Sequence, residues 1–422
     1  MQAIRACSAF TRPLRFERVN VRKALDSRAF QVDPHSFLAE FRAAGALHRI
    51  EPAGAPPQWL VTTYREARQV LTDPRMSKRS DAAGLEPGWL INGSRSDAQP
   101  EYLLTLDPPE HTRLRKLVMR SFTGARIEGL RPRATHMAQE LLDAVKARGG
   151  GDLVDDFALV FPLGVICELL GVPRQDGAEF HAWSNTIVAP IAGVEMESAF
   201  TDMTAYLRRL VSAKRADPGD DLLSGLITDV TDDKLTDDEL VGMAFLLLIA
   251  GHSTTAAMIA SATLKLMRHP HLLATLREDP GQIPSAVEEF IRQDSPVQVT
   301  TERFATATTT IGDVQIARGD MVIVALNSAN RDAARFSRPD EFDLSRDTSG
   351  HLGWGFGIHR CVGAPLARLE AQIALRALIE VVPNVEFEQL DTAIQWLPGL
   401  LVHGPAHLPV RYRSPEPTSV GR

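Results

Sequence analysis

The pattern of apolar and polar residues predicts one very long helix in the second half of the chain. Thr236-Asp237-Asp238-Glu239 has the form of a capping box, in which the first and fourth residues cap each other's backbone amides. Apolar residues then recur to about Arg268, and His269-Pro270 ends the helix. At ~1.5 Å rise per residue this helix would span roughly 50 Å, which is enough to cross a whole domain.

A polar interruption divides the most apolar part of this helix, Met243 to Ala262. The interruption reads Gly251-His252-Ser253-Thr254-Thr255 and follows Ala250, so we interpret the segment as a buried helix and not as a membrane span. The Thr254 hydroxyl can reach the carbonyl of Ala250 four residues earlier. We expect the helix to loosen here and to open a groove for oxygen and water.

Two further segments carry helix signals. Asp107-Pro108-Pro109-Glu110 predicts a helix start with Asp107 as the N-cap, after which His111 and Arg115 lie four apart on one face. In the helical stretch that begins at Ser285, Glu289 and Arg292 lie three apart and can form a charge-assisted pair. Such a pair usually lies at the surface and then contributes well under ~1 kcal/mol.

Composition agrees with one large soluble enzyme domain. The 422 residues are 44% hydrophobic and 23% charged, so the chain can bury a large core and a cofactor within it. Because no linker or repeat is evident, we predict a single domain over 12–413 with flexible termini at 1–11 and 414–422. The net charge of −7, without a basic tract, gives no reason to expect nucleic-acid binding.

The cysteines indicate the compartment. Cys7, Cys167 and Cys361 are odd in number and far apart, so we expect no disulfide framework and a reducing environment. The chain shows neither a secretory signal nor an uninterrupted apolar span of bilayer length. These features predict a cytoplasmic protein that does not associate with membranes.

Cys361 lies in a glycine-rich loop that leads into a helix. The run Gly353-Trp354-Gly355-Phe356-Gly357-Ile358-His359-Arg360-Cys361-Val362-Gly363 precedes the helical stretch Ala364–Glu370. Backbone amides at a helix start favour an anion, so the Cys361 thiolate is a candidate soft metal ligand. The glycines let the loop lie flat against a planar group, which we infer to be a haem.

This run resembles the cysteine-ligand loop of the cytochrome P-450 family. The resemblance covers roughly Leu103 to Val410. It implies a mainly α fold with small β-sheets, in which haem b (iron protoporphyrin IX) is buried between the long central helix and the Cys361 loop. Cys361 would then be the axial iron ligand. Two positions depart from the family pattern: Ser253 replaces the usual acid, and Trp354 replaces the usual Phe. The Trp354 indole N–H would either donate towards the thiolate and alter the iron potential, or the ring would serve packing alone.

The same resemblance assigns the remaining site residues. Ala250, Gly251, Ser253 and Thr254 form the oxygen-activation motif, with His252 structural, and Glu289 with Arg292 forms a pair that braces the core. The cofactor contacts are His111, Arg115, Arg303 and His359 for the haem propionates, with Trp354, Gly355, Cys361 and Gly363 in the loop. The expected substrate-pocket walls are Trp89, Leu90, Ile91, Ile187, Val188, Leu247, Val297, Val299, Thr300, Leu400 and Leu401.

The implied function is that of a bacterial haem-thiolate monooxygenase. It would hydroxylate or epoxidise a medium-sized hydrophobic compound such as a polyketide, terpenoid or steroid. The chain has no dinucleotide fingerprint, so electrons would come from a ferredoxin and an NAD(P)H-dependent reductase. Arg113, Lys116, Arg120 and Arg360 would form a basic face for an acidic donor. Two alternatives stay open: a peroxide-driven peroxygenase, which the missing acid at Ser253 would suit, and a non-enzymatic haem-binding sensor.

Overall fold

A computed structural model describes residues 21–52, 54–86, 102–188, 193–228, 234–388 and 394–413. Both predicted flexible termini lie outside these residues. Within them the protein is mainly helical with three small sheets, as predicted. The helices are α1 (Val21–Leu25), α2 (Arg28–Val32), α3 (Pro34–Ala44), α4 (Tyr64–Thr72), α5 (Glu110–Ser121), α6 (Gly124–Gly129), α7 (Arg131–Ala147), α8 (Val160–Leu170), α9 (Gly177–Val188), α10 (Gly193–Ala216), α11 (Leu222–Thr228), α12 (Asp237–Arg268), α13 (Pro270–Glu278), α14 (Ile283–Gln293), α15 (Leu326–Ala329) and α16 (Ala364–Val381).

The strands form a five-stranded, a three-stranded and a two-stranded sheet in the described part of the chain. They are β1 (Leu47–Ile50), β2 (Gln58–Val61), β3 (Met76–Ser77), β4 (Gly150–Asp152), β5 (Arg303–Ala305), β6 (Thr309–Ile311), β7 (Val314–Ile316), β8 (Met321–Val324), β9 (Val385–Phe387) and β10 (Pro409–Tyr412). The largest sheet has the order β1-β2-β8-β5-β3, in which only β2 and β8 run parallel. This sheet carries β5, and therefore Arg303, to the site described below.

Helix α12 is the central element and matches its prediction closely. Thr236 caps it through the reciprocal capping box with Glu239, and His269 ends it. In the described part of the chain it alone is long and apolar enough to cross a membrane, but 72% of its most apolar window is buried inside the protein. It packs against α8, α10 and α16, and is thus the core helix of the fold. The helix runs unbroken through Gly251–Thr255, so the loosening predicted there is not visible as an interruption.

The start of α5 differs from its prediction. The helix begins at Glu110, and the Asp107 carboxylate does not cap it. Instead Asp107 accepts hydrogen bonds from the Ser77 hydroxyl and from the backbone amide of Lys78. The carboxylate therefore fastens the end of β3 to the segment that leads into α5, a long-range contact that a local capping rule cannot foresee.

Candidate active site

The loop that carries Cys361 depends on glycine at two positions. Gly355 and Gly357 have φ angles of +69° and +73°, in the left-handed region that favours glycine. A Cβ atom on Gly357 would lie 2.4 Å from the carbonyl oxygen of Leu71. The loop closes through the Cys361 amide, which donates to the carbonyl of Trp354 at 2.8 Å. The sulfur is thereby fixed at the start of α16.

Cys361 has an exposed surface that lines a cavity, while the protein around it shields the thiol from bulk solvent. Burial raises the pKa of the thiol, while the backbone amides of Gly363 and Ala364 and the charges of Arg115 and Arg368 oppose that rise. The amide donors expected at the helix start are present, but burial outweighs them. A bound metal cation would supply the positive charge that stabilises the thiolate.

Helix α12 forms the opposite wall of this cavity. Ala250, Gly251 and Thr254 line it, and the Thr254 hydroxyl donates to the Ala250 carbonyl at 2.9 Å, which confirms that predicted contact. Ser253 is not among the lining residues, and its hydroxyl lies 3.0 Å from His252 Nε2. The buried His252 also bonds the Leu248 carbonyl through Nδ1, at 2.7 Å, and does not line the cavity, so a structural role fits it.

A cluster of basic side chains lines the cavity between α5, β5 and the Cys361 loop. His111 and Arg115 on α5 meet Arg303 on β5 and His359 on the loop, and the two imidazole rings lie 4.4 Å apart. Both ring nitrogens of His111 and Nε2 of His359 are buried without a hydrogen-bond partner among the described residues. Burial lowers the pKa of Arg303 to about 10, and burial with neighbouring cations lowers that of His359 to about 2.

These features fit a haem. A buried hydrogen-bond donor without a partner is energetically costly, and so is a buried cation whose counter-ions do not offset its desolvation. An anionic group in the cavity would remove both costs. The two propionates of a haem would do so at His111, Arg115, Arg303 and His359. The Cys361 sulfur, facing the same cavity, would hold the iron. When bound, the haem supplies the activation of O₂ and the oxygen transfer.

The cavity has a volume of about 260 Å³. Of the predicted pocket walls, Leu247, Val297 and Thr300 line it. Ile187, Val299, Leu400 and Leu401 pack into apolar clusters instead. Trp89, Leu90 and Ile91 lie outside the described residues, as does the side chain of Val188.

The Glu289–Arg292 pair is fully buried. The guanidinium binds the carboxylate through two bonds, Nε to Oε2 at 2.7 Å and a terminal nitrogen to Oε1 at 2.8 Å. Arg292 also donates to the carbonyls of Asn330 and Pro339, each at 2.9 Å, and Arg346 donates to Glu289 at 3.0 Å. The pair thus joins α14 to the chain that precedes the Cys361 loop, which is the bracing geometry predicted.

The Trp354 indole does not donate a hydrogen bond to the Cys361 sulfur. Its N–H points to Glu288 Oε2 at 3.2 Å and not to the Cys361 sulfur. The expectation that this N–H withdraws charge from the thiolate is therefore wrong, because a nearby carboxylate is the stronger acceptor. Trp354 still lines the cavity, as do Gly355 and Gly363.

Sequence reasoning missed Glu370 on α16. Its side chain is fully buried, it lines the cavity, and neither carboxylate oxygen has a hydrogen-bond partner among the described residues. Burial raises the pKa of this carboxyl well above its usual value. The signal was present in the sequence, since Glu370 lies on the same helix face as Leu366 and Ile373, where an acid is unexpected.

Comparison with known proteins gives consistent matches. The family model described as "Cytochrome P450" matches residues 195–388. The chain is 42% identical over 391 residues to the cytochrome P450 monooxygenase PikC of Streptomyces venezuelae, covering 91% of this chain and 92% of that protein.

Two solved structures share the fold. Cytochrome P450 PksS of the Bacillus subtilis 168 bacillaene polyketide synthase has a TM-score of 0.85 at 35% identity, over 92% of this chain and 99% of the other. The tirandamycin C-bound P450 monooxygenase TamI has a TM-score of 0.82 at 43% identity, with the same two coverages. Since these likenesses extend over most of the chain and agree with the Cys361 loop, the buried Glu289–Arg292 pair and the propionate-type basic cluster, the chain belongs to the cytochrome P450 family and is a haem-dependent monooxygenase.

Proposed function

We propose that this monooxygenase hydroxylates or epoxidises an uncharged, medium-sized hydrophobic compound of bacterial secondary metabolism, with a polyketide as the first candidate. The observation that carries this proposal is the distribution of polarity in the cavity. Apart from the basic cluster and the Cys361 loop, most of the described lining is apolar, as at Leu103, Leu246, Leu247 and Val297, with hydroxyl groups such as Thr254 and the Glu370 carboxyl as the polar exceptions. An apolar wall with few polar groups suits a neutral substrate.

The relatives support the same class. PksS is described as a polyketide synthase P450, and TamI binds tirandamycin C. A neutral macrolactone and the same ring bearing a protonated amino sugar make a matched pair for the test. We expect the neutral compound to cause the larger shift in the haem spectrum and to be oxidised faster. Stronger binding of the cationic compound would contradict the proposal.

We propose that Thr254 and Glu370 deliver protons within the cavity. The Thr254 hydroxyl, fixed by the Ala250 carbonyl, can hold a water molecule next to α12. Glu370 is the one carboxyl group among the described lining residues, and burial raises its pKa well above the usual value, which favours the protonated form. Such a group is an acid poised for donation, which Ser253, turned towards His252, does not provide.

Glu370 also bears on the peroxygenase alternative. The peroxygenase alternative is supported only by the absence of an acid at Ser253. A buried carboxyl group elsewhere in the same cavity could replace that acid, so the absence no longer favours a peroxygenase. Turnover with ferredoxin, reductase and NAD(P)H, compared with turnover on peroxide alone, distinguishes the two. Faster product formation with peroxide would favour the peroxygenase, and no product in either assay would favour the sensor.

We propose that the electron donor is an acidic ferredoxin, reduced by an NAD(P)H-dependent reductase in the cytoplasm. Lys116 and Arg120 on α5 and Arg360 on the loop are exposed, and Arg115 ties α5 to the loop by donating to the Arg360 carbonyl at 2.7 Å. Arg113, the fourth residue of the predicted basic face, pairs with Glu239 at the start of α12. Lys116, Arg120 and Arg360 thus supply a basic face close to Cys361.

A further inference from the structure

Glu288 on α14 binds three side chains around the Cys361 loop. Its carboxylate accepts from Trp354 Nε1 at 3.2 Å, from His351 Nε2 at 3.0 Å and from Arg368 Nε at 2.6 Å. Burial alone would raise the pKa of Glu288, but the bonds from His351 and Arg368 hold it at about 2. The carboxylate is therefore ionised at neutral pH, and these three side chains donate to its charge.

Trp354 is held at both its edge and its face. Glu288 binds the indole N–H, and the Arg368 guanidinium lies 4.8 Å from the centre of the ring. Only 8% of Trp354 is exposed. Because the Trp354 carbonyl accepts the Cys361 amide at 2.8 Å, the position of this ring also fixes the backbone that holds the ligand residue. A phenylalanine ring at this position would lack the N–H that reaches Glu288.

The start of the loop is fastened to the same helix. His351 Nδ1 accepts the Gly353 amide at 3.2 Å, so its Nε2 carries the proton that is donated to Glu288. A Cβ atom on Gly353 would lie 2.4 Å from Ile291 Cγ2, so the absence of a side chain lets this part of the backbone lie close against α14. The loop therefore contacts α14 at two successive residues: Gly353 lies against Ile291, and Trp354 binds Glu288.

We propose that Glu288 is a positioning residue for the Cys361 loop: by fixing the Trp354 indole it holds the carbonyl that binds the Cys361 amide, and so keeps the sulfur in place as the haem ligand. This role lies beyond the pairing of Glu289 with Arg292, which braces the chain before the loop. The proposal rests on Cys361 being the ligand, and a Cys361→Ala variant tests that premise separately.

The test compares Trp354→Phe and Glu288→Gln with the wild-type holoenzyme. The measurement is the rate at which the reduced carbon-monoxide complex loses the strongly red-shifted Soret band of thiolate ligation under mild heating. A hydrogen bond to a charged group is worth on the order of a tenfold factor or more, so we expect each variant to lose the band about tenfold faster. Trp354→Phe is the milder change, since an apolar ring remains, and it keeps the test informative if Glu288→Gln fails to fold.

Trp59→Phe is the matched control. The Trp59 indole donates to the Asp320 carboxylate at 2.8 Å and lies beneath Arg49, but it belongs to β2 and does not line the cavity. We expect this control to lose the band at the wild-type rate. Equal rates in Trp354→Phe, Glu288→Gln and Trp59→Phe would overturn the proposal.

The double variant tests whether Glu288 acts through Trp354. If it does, Trp354→Phe combined with Glu288→Gln should lose the band no faster than the more affected single variant. Rates that multiply would show that the two residues act independently and would overturn the proposed route. A Cys361→Ala variant that kept the band would instead remove the premise, so the two failures are distinguishable.

Discussion

At the scale of single residues, the charges around Cys361 are balanced only when a ligand is bound. Burial raises the pKa of its thiol, and two backbone amides with two arginines offset this only in part. The basic cluster around His111 and His359 requires negative charge, because its buried nitrogens lack an acceptor among the described residues. One ligand with a central cation and two carboxylates would satisfy both. The residues of this cavity are thus complementary to haem as a set.

Replacing Cys361 should remove the thiolate signature. In Cys361→Ala the reduced carbon-monoxide complex should lose the strongly red-shifted Soret band, because no sulfur remains at the metal. Cys167→Ala is the control: Cys167 is buried away from the cavity, and burial raises the pKa of its thiol to about 12. We expect that variant to keep the band. A red-shifted band in Cys361→Ala would exclude Cys361 as the ligand.

Proton delivery should depend on Thr254 and Glu370. A positioned acid is worth about 10²–10⁴ in rate, so Glu370→Gln and Thr254→Ala should divert most reducing equivalents into peroxide. The measurement is product formed and peroxide released per NAD(P)H consumed. Because the pKa of Glu370 is raised, its proton is present below that pKa, and wild-type coupling should fall as pH rises through it. An infrared carboxyl band that disappears in Glu370→Gln would identify the protonated group.

Ser253 provides the comparison for that prediction. Its hydroxyl bonds His252 outside the cavity, so Ser253→Ala should leave coupling near the wild-type value, and Ser253→Asp should place its carboxylate towards His252 without restoring the family's usual acid. Unchanged coupling in Glu370→Gln, together with a loss in Ser253→Ala, would reverse the two assignments.

What the sequence predicts at this scale is what local geometry determines. The bond from Thr254 to Ala250 follows from helical spacing, and it is present. The partners of Ser253 and Trp354 depend on rotamers and on residues elsewhere, such as Glu288, which lies 66 positions before Trp354. The indole N–H was recognised as a donor, but its acceptor could be identified only once the fold had brought α14 to the loop.

At the scale of elements, a helix end is predictable from sequence where its capping contacts are local, and unpredictable where they come from distant residues. The capping box of α12 involves side chains and amides within one turn, so its start was predictable from four residues. Asp107 has an equally good local signal, yet Ser77 and Lys78 bind its carboxylate instead. Glu289 and Arg292 could be paired from their spacing, but their complete burial came from the tertiary structure and the family resemblance.

Burial makes the α14 pair a stability determinant. Glu289→Gln would leave Arg292 and Arg346 facing an uncharged group in the interior, so we expect a loss on the order of 3–5 kcal/mol in the free energy of unfolding. Glu128→Gln is the matched control, because Glu128 and Arg131 have the same three-residue spacing but are exposed. That control should melt close to the wild-type temperature in thermal unfolding of the holoenzyme. Equal destabilisation of the two variants would contradict a special role for the buried pair.

At the scale of the whole molecule, charge is distributed unevenly. The chain carries a net charge of −7, yet Lys116, Arg120 and Arg360 are exposed near the loop that holds Cys361. Ile358 and Met119, at 47% and 44% exposure, add apolar surface to the same region. A basic patch with apolar side chains beside the redox centre suits an acidic protein that must approach closely but leave again.

Electron transfer from ferredoxin should therefore depend on salt and on Lys116. Attraction between exposed charges is screened beyond about 8 Å at physiological ionic strength, so the ferredoxin-driven rate should fall as salt is raised. Lys116→Glu should lower the low-salt rate by about tenfold through weaker steering, and flatten its salt dependence. Lys146→Glu changes the net charge equally but lies on α7, and should behave like the wild type. If both variants slow the reaction alike, net charge and not the Lys116 face directs the partner, and the docking surface must lie elsewhere.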